Sequence, residues 1–139
     1  MNIKKRTNEL IKRYKTRDPF EMIKGMNVIL LFCPLENVRG FYQYYKRNHI
    51  IYINEQLSEH EKKFVCAHEL GHMILHKGEN TIFMDTRTHF NTNKYELEAN
   101  DFAVNLLISD ENIAKYCEYT SKQLATIFGL SEELILLRL

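Results

Sequence analysis

The chain has 139 residues, 45% of them hydrophobic and 27% charged, with 19 Lys and Arg against 18 Asp and Glu. That length and composition give one globular domain over residues 1–139, with enough apolar matter for a core without disulfides. The near-neutral balance argues against a chain drawn as a whole to nucleic acid or to an anionic membrane. Three scattered cysteines (Cys33, Cys66, Cys117) exclude a disulfide framework and a thiolate zinc finger. The longest apolar run, residues 28–34, is about a third of a membrane span, and no apolar stretch follows the basic N-terminus. The expectation is a soluble, cytoplasmic protein.

Residues 1–17 read as a basic helix. Seven Lys and Arg lie between Lys4 and Arg17, against Glu9 alone, and Ile3, Leu10, Ile11 and Tyr14 fall near helical spacing. A solvated helix face is the simpler reading, a nucleic-acid or partner-binding arm the sharper one. Asp18-Pro19 opens a second short helix, with Asp as N-cap and Pro at the first helical position, and Gly25 ends it. Residues 27–33 read as a buried strand stopped by Pro34. Residues 40–45 and 50–54 read as two further strands, joined as a hairpin through Lys46-Arg47-Asn48. The 50–54 strand is a candidate edge for pairing an extended substrate. Ser58-Glu59-His60-Glu61 is a capping box that starts a helix running to about His76, with Gly78 at its exit. Residues 79–93 have no clear period and read as a loop. A second strong helix covers 95–108, Ser109-Asp110 caps a third, and residues 120–139 hold a helical hairpin.

The most informative residues are His68-Glu69-Leu70-Gly71-His72. Two imidazoles four residues apart share a helix face and can converge on one tetrahedral ion. Glu69 follows the first of them and is placed to take a proton from water beside that ion. A third ligand is needed. The metzincin pattern fails, because residue 75 is Leu75 and residue 78 is Gly78. His76 lies a further turn on, and a straight helix spreads His68, His72 and His76 over about 12 Å. His76 is therefore expected to cap the helix or touch the following loop. On the second helix, Glu96 and Asn100 share a face, so Glu96 can ligate while Asn100 orients a histidine through its other ring nitrogen. Glu98 lies about 200° around that helix from Glu96 and should face a different environment with Asp101 and Asn105. Glu96 is thus preferred to Glu98. Candidate donors for the oxyanion are Arg87, His89 and Tyr95. Cys66 should be a buried, inert side chain.

HELGHMILH followed by ELEANDFAVNLLIS resembles the ImmA/IrrE family of small zinc metallopeptidases, whose pattern is HExGHxxLH and then ExEANxFAxxLL. The likeness extends to DPFEMIKGMNV and INEQLSEHEKKFVCAHELGH and covers roughly residues 18–139, with Ser109 where the family commonly has proline. The resemblance implies a zincin-like α+β fold. Its small antiparallel or mixed sheet, of about three strands, would accompany an active-site helix, a second ligand-bearing helix and C-terminal helices. It also implies Zn2+ on His68, His72 and Glu96, with Glu69 as general base. Members of the family are typically carried by phages and mobile elements and cleave a helix-turn-helix repressor, so the implied partner is such a repressor. The alternative is an antirepressor that sequesters its partner without cleavage.

Residues 120–139 also fit a helix-turn-helix spacing through Ala125, Gly129, Leu130 and Ile135. Its second helix would begin Glu132-Glu133, which repel phosphate, so packing or protein contact is expected there rather than DNA binding.

Overall fold

A computed structural model describes residues 2–76, 83–86 and 94–139. Among these residues the fold is α+β, with four strands and seven helices. α1 (Ile3–Tyr14) and α2 (Pro19–Gly25) precede β1 (Ile29–Cys33), β2 (Val38–Tyr45) and β3 (Asn48–Asn54). α3 (Glu59–Leu75), β4 (Phe83–Thr86) and α4 (Lys94–Leu107) follow, and α5 (Asp110–Lys115), α6 (Ser121–Phe128) and α7 (Glu132–Arg138) complete the chain.

The sheet is mixed, in the order β1-β3-β2-β4. β3 runs parallel to β1 and antiparallel to β2, and β4 runs antiparallel to β2. Two sequence expectations change here. The 50–54 strand is not an edge: β1 occupies its outer side, so both rows of its backbone groups are already paired. The 79–93 segment is not all loop, since Phe83–Thr86 pairs with β2. The hairpin turn is also shorter than expected. Asn48 pairs with Tyr45, which leaves Lys46 and Arg47 alone in the turn. Both have positive φ, 49° and 65°. That is the sense of twist a two-residue hairpin needs, here adopted without the usual Asn or Gly.

β2 carries an irregularity between Val38 and Gly40 and crosses very close to α3. A Cβ on Gly40 would stand 2.5 Å from Val65 Cγ1 and 2.6 Å from the Tyr52 carbonyl oxygen. The oxygen belongs to the neighbouring strand and has little freedom to retreat. Gly40→Ala should therefore cost about 1–3 kcal/mol by overpacking, read as a lower denaturant midpoint at unchanged m-value.

The helices start where short polar caps permit. Asp18, Ser58, Ser109, Thr120 and Ser131 each accept a hydrogen bond from a backbone N–H of the following turn. At Ser58 the reciprocal bond, donated by its own N–H to Glu61 Oε1, completes the expected capping box. The core joins one face of the sheet to α3 and α4 through Ile51, Ile53, Val65, Leu70, Phe102 and Leu106, all fully buried.

The basic N-terminal segment is part of this packing rather than a free arm. Ile3, Thr7 and Leu10 are buried. Arg17 Nη1 donates to the carbonyl oxygens of Asn105 and Leu106, at 3.1 and 3.2 Å. These are carbonyls of the last turn of α4, which need donors from outside the helix and favour a cation. The C-terminal hairpin behaves likewise: Leu124 and Ile135 bury against Ile108. Among the described residues, no helix is long and apolar enough to cross a membrane.

Lys4 Nζ and Arg138 Nη2 both meet Asp110 Oδ1, at 3.0 and 2.6 Å. The hydrogen bonds from Arg138 and then Lys4 hold the Asp110 carboxyl at about 2. Because the folded value lies below the ordinary carboxylate value, this cluster stabilises the fold above about pH 4 and is lost as pH falls through 2. Asp110→Asn should thus lower stability at neutral pH and flatten its decline between pH 4 and 2, measured as urea midpoints across that range. The carboxylate is exposed, so the change should be small.

Candidate metal centre

α3 brings His68 and His72 to one face at i and i+4, and α4 supplies Glu96 from across a tight helix–helix seam. The seam is close because Gly71 stands opposite Phe102. A Cβ there would lie 3.1–3.2 Å from the Phe102 side chain. His68 Nε2 lies 2.9 Å from Glu96 Oε2, and His72 Nε2 lies 2.9 Å from Glu96 Oε1. One donor atom from each of the three residues lies within 4.8 Å of the other two, and all three side chains are buried.

This set fits a metal ion by its chemistry. Two imidazoles and a carboxylate are ordinary ligands of a tetrahedral centre, whose donor atoms stand roughly 3.3 Å apart around one ion. The three buried side chains already converge on a common locus. The protonation states suit ligation. Burial acts to raise the Glu96 carboxyl, but the contacts with the His68 and His72 imidazoles outweigh it and hold Glu96 at about 2. Burial pushes the His72 imidazole below its usual value, against an opposing hydrogen bond with Glu96. An ionised carboxylate and a neutral imidazole are the forms that bind metal.

The surroundings orient these groups. His68 Nδ1 lies 2.8 Å from Asn100 Oδ1, the pairing expected from the shared face of Glu96 and Asn100. Glu69, next to His68, is fully buried at the same level of α3. Cys66 is buried, and burial raises its thiol far above the usual range, as expected of an inert side chain. Of the proposed oxyanion donors, Arg87 and His89 lie outside the described residues, as does Gly78. Tyr95 packs its ring 4.6 Å from that of His76.

Two residues play a part that the sequence reading missed. His76 caps α3, as expected, its backbone N–H bonding to the His72 carbonyl. Its ring also turns back, with Nδ1 3.0 Å from His72 Nδ1 and Nε2 3.1 Å from Glu98 Oε1. Glu98 thus meets His76 rather than the ligand cluster, while Asp101 and Asn105 bond to each other.

Residues 23–139 match the model of a family described as Peptidase_M78, the IrrE N-terminal-like domain. The chain belongs to this family. The Peptidase_M78 chain is 44% identical over 135 residues to immunity region protein 2 of Bacillus phage phi105, covering 95% of this chain and 85% of that protein. It is 31% identical over 134 residues to Metallopeptidase ImmA of Bacillus subtilis strain 168, covering 92% and 78%. Membership in Peptidase_M78 supports a metallopeptidase role. It implies a metal ion and a protein substrate, and the His68, His72 and Glu96 cluster is a place where such an ion could sit.

Proposed function

We propose that this chain is a zinc-dependent endopeptidase of narrow specificity. Its substrate is a helix-turn-helix repressor, whose cleavage in the cytoplasm relieves repression of a phage or mobile element. The observation that carries the reading is the convergence of His68, His72 and Glu96 from two helices, with Glu69 buried beside them. Two imidazoles and one carboxylate favour zinc among hydrolytic metals. The immunity-region name of the phage relative supports a repressor as substrate.

His68, His72 and Glu96 are the proposed ligands. Zinc held there supplies Lewis acidity, making water acidic near pH 7 and polarising the scissile carbonyl. Asn100 accepts from His68 Nδ1–H and so keeps the Nε2 lone pair of His68 turned toward the ligand cluster. Glu69 takes the proton of the attacking water and returns it to the leaving amine nitrogen.

The test is co-expression with a helix-turn-helix repressor encoded beside this gene. A discrete repressor fragment that disappears when zinc is chelated is the expected result. An intact repressor that co-purifies with the chain would replace proteolysis with sequestration.

A further inference from the structure

We infer that His76 and Glu98 form a relay that sets the tautomer of His72 and thereby strengthens the metal centre. The inference rests on the proposed ligand role of His72.

The argument follows the protons. A neutral imidazole that turns its Nε2 lone pair toward an ion carries its proton on Nδ1. In His72 that Nδ1–H points at His76 Nδ1, 3.0 Å away. His76 must therefore accept through Nδ1, and a neutral His76 then carries its own proton on Nε2. That nitrogen lies 3.1 Å from Glu98 Oε1, and a carboxylate accepts but does not donate. Each link leaves one arrangement open: His72 donates to His76, and His76 donates to Glu98. Reversing His76 would set two N–H groups against each other at His72 and a lone pair against the carboxylate at Glu98.

Burial gives the relay its force. The His72 and His76 side chains are 0% and 2% exposed, and that of Glu98 is 18% exposed. Water therefore competes weakly for these bonds. The ring of Tyr95 packs against His76 and limits its rotation. His76 reaches back because its backbone, at φ −118° and ψ 36°, has left the helix. The two ligand histidines are consequently held by different means. His68 leans on a neutral amide oxygen, whereas His72 leans on an imidazole backed by a carboxylate. The second arrangement draws more proton character away from the ligand and makes it the better electron donor. His76 and Glu98 are positioning residues, acting on the ion through His72.

The test uses zinc affinity, measured by chelator competition on the intact chain. His76→Phe keeps a ring of similar size and removes the acceptor, and it should weaken zinc about 10- to 100-fold. His76→Asn returns an acceptor oxygen near the place of Nδ1 and should recover most of that loss. Glu98→Ala changes a partly exposed helix position that tolerates Ala, and it should weaken zinc in the same direction. Proton–nitrogen NMR of the zinc-loaded chain should show His76 protonated at Nε2 and bare at Nδ1. Wild-type chain that holds zinc, with both His76→Phe and Glu98→Ala holding it equally tightly, would overturn the relay alone. So would a His76 protonated at Nδ1 in the loaded chain. Wild-type chain that takes up no zinc would overturn the metallopeptidase reading and the relay with it.

Discussion

Glu69→Gln should abolish repressor cleavage while leaving zinc bound. The amide is nearly the same size as the carboxylate and fits the same buried position on α3, but it cannot accept the proton of water at neutral pH. A positioned general base contributes about 10²- to 10⁴-fold, so the rate should fall by that factor. The pairing of readouts is what gives the experiment its meaning. Zinc content by chelator competition should equal wild type, because Glu69 is not among the three convergent donors. A variant that cleaves at the wild-type rate would remove Glu69 from the chemistry. A variant that loses zinc as well would make Glu69 a support of the centre rather than its base.

Phe102→Ala should be the most damaging single change to the fold, at about 3–5 kcal/mol. Phe102 is fully buried and fills the seam between α3 and α4 opposite Gly71. Ala would leave a cavity that neither helix can close without moving, because α3 is held by β2 on its other side at Gly40 and Val65. The same seam sets the 2.9 Å approach of Glu96 to His68 and His72. The variant should therefore lose zinc affinity as well as stability, although Phe102 is not one of the convergent donors. Urea unfolding of the metal-free chain and chelator competition in native conditions separate the two losses. Unchanged affinity in a destabilised chain would show that the ligands are placed by something other than this packing.

The parts of the site that were legible in the sequence depend on one helix at a time. His68 and His72 share a face by spacing alone, and so do Glu96 and Asn100; a helical wheel is enough for both pairs. The His76–Glu98 contact was not legible, because it lies between helices. Glu98 does sit about 200° from Glu96 around α4. However, the three histidines are strung along α3, and α4 offers Glu96 to His68 and His72 but Glu98 to His76. The wheel also assumes that His76 stays helical, whereas its backbone departs there. In the sheet, local alternation and the polar turn disclosed β2 and β3. The parallel pairing that places β1 outside β3 joins segments separated by the whole of β2, and no local signal carries it. β4 is four residues long and has no turn chemistry to announce it.

The meeting of Lys4 and Arg138 on Asp110 has a topological corollary. Residues near both ends of the chain line one cavity, including Ile3, Lys4, Leu137 and Leu139. Ends so placed can be joined by a short Gly/Ser linker without pulling α1 off α4 or α7 off Ile108. The circular chain would lose conformational freedom only in its unfolded ensemble, so cyclisation should raise the melting temperature and leave the metal centre untouched.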